Sequence, residues 1–90
     1  MSTTPINITA NGTSATQKVR GELVIHVSKT FGGATVSLEL GVDGRWAPIP
    51  DTAWTEPGVY WVHKLPPAEV RAVTTNASGT TDIVLQFLSV

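Results

Sequence analysis

The amino-acid sequence predicts an all-β protein, a small antiparallel β-sandwich or partly closed barrel of about seven short strands. Three observations carry that expectation. Runs of about 5–9 residues alternate between apolar and polar side chains and are separated by Gly, Pro or Asn turns. No segment shows a helical period. Val and Thr, which suit a pleated and half-buried surface, are abundant throughout.

The elements follow in order. Residues 1–5 form a flexible polar arm on a single β-sandwich domain spanning residues 1–90. Ile6 to Ala10 is a brief strand, and Asn11-Gly12-Thr13-Ser14 is a turn by composition. Ala15 to Arg20 is weakly extended. Gly21 opens a clear strand from Glu22 to Lys29, with Leu23, Ile25 and Val27 on one face and Val24, His26 and Ser28 on the other. Thr30-Phe31-Gly32-Gly33 turns the chain into the central strand, where Ala34, Val36, Leu38, Leu40 and Val42 alternate with Thr35, Ser37, Glu39 and Gly41. Asp43-Gly44 then makes a tight hairpin, because both residues tolerate positive φ. Arg45-Trp46-Ala47 returns as the partner strand until Pro48 and Pro50 end the ladder.

Pro50 to Gly58 is an irregular loop holding Trp54. Val59 to Leu65 is a strand, with Val59, Trp61 and His63 opposite Tyr60, Val62 and Lys64. Pro66-Pro67 breaks it, and a short helical turn at Pro67-Ala68-Glu69 is compatible with Pro at a first helical position. Glu69 to Thr75 is a further strand, with Val70 and Ala72 opposite Arg71 and Val73. Asn76-Ala77-Ser78-Gly79 is a second hairpin turn before the last strand, Thr80 to Val90.

Composition narrows the function classes. Charged residues make up 14% of the chain and the net charge is -1, so disorder is not expected. The basic residues are scattered, which argues against nucleic acid as the main partner. The chain contains no cysteine, which excludes disulfides and thiolate metal sites. MSTTPINITA does not read as a secretory signal, and no apolar run approaches the ~20 residues of a membrane span. Three Asn-x-Ser/Thr triplets, at Asn7, Asn11 and Asn76, read as by-products of a Thr-rich composition rather than glycan acceptors.

No catalytic, metal or cofactor signature stands out. His26 and His63 fall on strands, and neither Glu22, Asp51 nor Asp82 joins them at a short ligand spacing, so ordinary polar strand faces account for them. Asp43, Asp51, Glu56, Glu69 and Asp82 supply carboxylates in number but no evident acid/base pair. No G-x-S-x-G elbow, P-loop or H-E-x-x-H occurs. A small hydrolase is therefore the least favoured reading.

The aromatics and the last strand say more. Trp61 shares the parity of Val59 and is expected in the core. Trp54, in a Pro-flanked loop, is the first candidate for a contact with another chain, with Trp46 behind it; a loop folded back on the core and stacking on a sugar remain open for Trp54. The last strand is apolar on both faces, with Ile83, Leu85 and Phe87 on one and Val84, Leu88 and Val90 on the other. Such a strand needs cover from both sides. Another subunit supplies it in one reading and the Pro50–Gly58 loop in the other. Ile83, Val84, Leu88 and Val90 join Trp54 and Trp46 as interface candidates.

Several phrases carry a resemblance: Gly21 with its alternating strand, Gly32-Gly33-Ala34-Thr35-Val36-Ser37-Leu38-Glu39, Asp43-Gly44, Trp46-Ala47-Pro48-Ile49, Gly58-Val59-Tyr60 and Val70-Arg71-Ala72. Over residues 20–90 this pattern resembles small virion proteins of tailed bacteriophages, of the head decoration (cement) type or a related tail-fibre or adaptor domain. The resemblance implies a non-enzymatic structural protein, made in the host cytoplasm and placed on the capsid surface. There it would sit as a homotrimer that bridges major capsid protein subunits, with no nucleic acid, membrane or cofactor involved. The alternative is a carbohydrate-binding or tail-fibre module that uses Trp54 and Trp46.

Overall fold

A computed structural model describes residues 5–14 and 16–89. It is all-β: β1 (Ile6–Ile8), β2 (Gly12–Thr13), β3 (Gln17–Thr30), β4 (Thr35–Val42), β5 (Arg45–Pro48), β6 (Gly58–Thr75) and β7 (Asp82–Ser89). All pairings are antiparallel and join one sheet in the order β1-β7-β3-β6-β4-β5, with β2 alongside β6. The expected arm lies outside the described residues except for Pro5, as does Val90.

The two longest strands make this single sheet behave as two layers. The first part of β6, Gly58 to Val70, pairs with β3, and its last part, Glu69 to Thr75, pairs with β4, the two overlapping at Glu69 and Val70. Side chains from both parts meet in one core: Ile25, Ile83 and Phe87 from one side, Leu38, Val70 and Ala72 from the other. The sheet therefore folds over on itself in a sandwich-like way, and β1 and β5 remain its two unjoined ends.

The fold departs from the sequence reading at the bend. Two register shifts between β3 and β6, around Gly21, each place one more residue on β6 than on β3. Such bulges bend a strand and sharpen its twist. They fall at His63-Lys64 and Pro66-Pro67. Lys64 takes a positive φ of 60°, and the prolines sit where no ladder partner is recorded, so their missing N–H groups cost no strand pairing. Pro66-Pro67 consequently bends one long strand instead of ending it, and the helical turn expected at Pro67-Ala68-Glu69 is strand. The inward set on β6 runs Tyr60, Val62, Leu65, Val70, Ala72: one bulge moves the alternation off by a residue and the next moves it back. Ala15–Arg20 and Glu22–Lys29, expected as separate runs, likewise merge in β3 from Gln17 onward.

The β4–β5 hairpin forms as expected, with Asp43 and Gly44 at φ 53° and 77°. It lies at the sheet's end, however, and the central positions belong to β3 and β6. Edge placement is also what allows Pro48 to remain inside β5. The Pro50–Gly58 loop folds inward: Trp54 exchanges backbone hydrogen bonds with Val36, at 2.7 and 2.9 Å. Thr52 Oγ1 accepts from the Leu38 amide at 3.1 Å and donates to the Ile49 carbonyl at 2.7 Å. Thr81 Oγ1 donates to the Phe31 carbonyl at 2.8 Å. Among the described residues, no buried side-chain polar atom lacks a partner, as a stable small core requires.

Candidate interaction surface

The outer face of β1-β7-β3-β6 is built in cross-strand rows. Val24 on β3 lies opposite Trp61 on β6 and Leu88 on β7. His26 lies opposite Val59 and Gln86 in the next row. Val84 on β7 lies between Ser28 and Asn7 in the third. Directly opposed residues share a face, so these rows form one surface. Val24 is buried although it does not belong to the core cluster, because its neighbours on both sides flank it from outside. Trp61 and Val59 are 60% and 54% exposed. The imidazole of His63 lies parallel to the Trp61 ring, within 7° and with centroids 6.3 Å apart.

Charge is confined to the two ends of this surface. Glu22 pairs with His63 at one end, and Lys29 pairs with Asp82 at 3.7 Å at the other. The rows between them contain no Asp, Glu, Lys or Arg.

The outer face of the other half is arranged differently. Trp46 on β5 lies opposite Gly41 on β4, and a Cβ placed on Gly41 would stand 2.8 Å from the indole. The missing side chain is thus what lets the ring lie flat on the sheet. The Arg71 guanidinium sits 4.2 Å from the Trp46 ring centroid and binds the Glu39 carboxylate at 2.7 and 2.8 Å. Glu39 and Arg71 are themselves direct cross-strand partners.

A third feature is an open cleft of about 540 Å³ between the β4–β5 hairpin and the middle of β6, floored by Leu40, Ile49, Val62 and Leu65. Pro48, Pro50 and Pro66 stand on its rim. They lack N–H donors, a familiar guard against strand addition at an open edge.

Three tryptophans thus have three settings, two of them contrary to expectation. Trp54 is only 7% exposed and stacks on Tyr60 with centroids 4.4 Å apart. Of the readings open to it, the loop folded back on the core is the one found, and it presents no surface for a contact or a sugar. Trp61, expected in the core, is on the surface. The reason is that Tyr60 and Val62 hold the inward positions, and both parities of this strand carry apolar residues. Trp46 is half-buried under its own neighbours. Ile83 is fully buried in the core, while Val84 and Leu88 are half-buried on the outer face. The patch centred on Val59, Trp61 and Val24 was missed because alternation alone cannot say which face of a doubly apolar strand turns inward.

The titratable groups do not converge. Among the described residues, no three His, Asp or Glu side chains are placed to hold a metal ion. Asp43 and Asp51 occupy positive-φ turn positions. The Tyr60 hydroxyl donates to the Glu56 carbonyl; burial, with a smaller contribution from the Glu56 charge, pushes its pKa above the ordinary tyrosine value. No known family, curated protein or solved structure matches the chain.

Proposed function

We propose that this protein is a non-enzymatic structural component of a phage particle, of the head decoration type. On this reading it binds the capsid surface as a homo-oligomer, in the trimeric form that the resemblance implies, and stabilises the head by bridging major capsid protein subunits. The observation that supports an adhesive role is the exposed, uncharged face carrying Trp61 and Val59 on a sheet whose other side is a fully packed core. An exposed apolar patch on a rigid scaffold marks a binding surface more often than chance exposure does, and repeated weak contacts on a capsid lattice gain strength through effective concentration. The test is co-sedimentation of the purified protein with undecorated capsids assembled from the major capsid protein of the same genome. Saturable binding and a raised capsid melting temperature are expected. No binding to such capsids rejects the reading.

A second reading is a carbohydrate-binding module. The parallel Trp61 and His63 rings favour it, since an exposed flat aromatic surface suits the apolar face of a sugar. A glycan array with the wild type and Trp61→Ala decides: a hit that disappears in the variant supports sugar binding, and a blank array removes it.

A further inference from the structure

We infer that the cleft between the β4–β5 hairpin and the middle of β6 binds a small amphipathic anion, a medium-chain alkyl carboxylate in its simplest form. The site is separate from the uncharged outer face and does not depend on the capsid reading. Its volume, about 540 Å³, falls within the roughly 300–1,000 Å³ of small-molecule sites. Leu40 and Ile49 on its floor are only half-buried, and Val42 on its wall is 51% exposed. Such apolar area in a concave surface gains by covering with an apolar body. Pro48, Pro50 and Pro66 on the rim offer no N–H donor. A peptide strand laid along them would leave carbonyls unpaired, which is costly. An alkyl chain has no such groups to satisfy.

Charge selects the head of the ligand. Arg45 on β5 and Lys64 on β6 both line the cleft, from opposite walls, and both are exposed. Among the described residues neither enters an ion pair. Asp43 is the one carboxylate of the lining, and His63 is committed to Glu22. Two cations therefore face one carboxylate, and a monoanion restores the balance. The backbone at Lys64 adds an independent reason. Its φ of 60° is free to glycine but costs a lysine energy. It falls at a bulge, a device that re-aims a side chain. A strained lysine beside an apolar cleft is explained when its ammonium is used there. With the Arg45 guanidinium it can hold the two oxygens of one carboxylate.

The test is an amide NMR titration of the full chain with decanoate, and with decanol and acetate for comparison. Decanoate should bind saturably, with shifts concentrated at Leu40, Val42, Ala47, Val62 and Leu65. Lys64→Gly keeps the backbone conformation and removes the ammonium; Arg45→Gln removes the guanidinium. Each should weaken decanoate about fivefold or more, the upper range for a partly exposed charge pair. Decanol and acetate should bind the wild type more weakly than decanoate by at least that factor. The unfolding midpoint of Lys64→Gly, followed by circular dichroism, should be no lower than that of the wild type. A lower midpoint overturns the inference, since it places the lysine there for stability. So does decanoate that fails to saturate, or shifts centred on Trp61 and Val59. Decanol binding as tightly as decanoate, or affinity unmoved by both variants, overturns it as well.

Discussion

Trp46 and Trp61 stand on outer faces of the same folded sheet in opposite surroundings. Trp46 lies on Gly41, is capped by Arg71, and Arg71 is held by Glu39, so three strands close that face with their own side chains. Trp61 has a buried Val24 beside it and a parallel imidazole next to it, and is still mostly exposed. The outer face around Trp46 is finished by its own side chains. The other leaves apolar area in water, at roughly 25 cal/mol for each Å². An indole kept in solvent does little for the monomer, which is why the second face is the one assigned to a partner.

The difference makes ranked predictions for unfolding by denaturant. The reference is the shared core: Phe87→Ala removes a ring with 1% exposure and should cost about 3–5 kcal/mol. A loss below 1 kcal/mol would mean that the two layers do not share one core. Next comes the closed face. Gly41→Ala drives a methyl group into the Trp46 ring and should cost about 1–3 kcal/mol. In the Trp46→Ala background that penalty should largely vanish, a coupling that a double-mutant cycle measures.

The sharpest contrast is between the two indoles. Trp46→Ala should lower stability by about 1–2 kcal/mol, through lost packing and the lost cation–π contact. Trp61→Ala, measured at concentrations where the protein is monomeric, should change it by no more than about 0.5 kcal/mol. Equal losses would erase the distinction between a finished and an unfinished face.

The smallest effect concerns pH. Tyr60 is the sole tyrosine, and burial raises its folded pKa above the unfolded value of 10.0. The folded state therefore holds the phenolic proton longer than the unfolded state. The associated stability is fully present below pH 10 and is lost as pH rises through the folded pKa. Ultraviolet titration should show a single phenol ionising above pH 10, and Tyr60→Phe should flatten the alkaline decline in stability.

Much of the fold was legible in the sequence because it depends on local periodicity and turn chemistry. The inward positions Leu23, Ile25 and Val27, and likewise Val36 and Leu38, are set by a two-residue alternation that needs no knowledge of the partner strand. Asp43-Gly44 specifies its hairpin for the same reason. The candidate surface was much less legible. Its defining residues lie on β3, β6 and β7, far apart in sequence, and only register places Trp61, Val24 and Leu88 in one row. The bend at Lys64 and Pro66-Pro67 was equally hidden, since prolines that would end an ordinary strand are accommodated where bulges leave no ladder partner to satisfy.

By itself, then, the order of residues determined that the chain is all-β, where its tight turns fall, and which side of each cleanly alternating strand is apolar, because short-range sterics and periodicity decide those. Tertiary structure alone decided which way a doubly apolar strand turns, and so that Trp61 meets water, and that the loop carrying Trp54 folds onto the core. Burial there depends on what lies across the sheet and above it, and no local pattern encodes that.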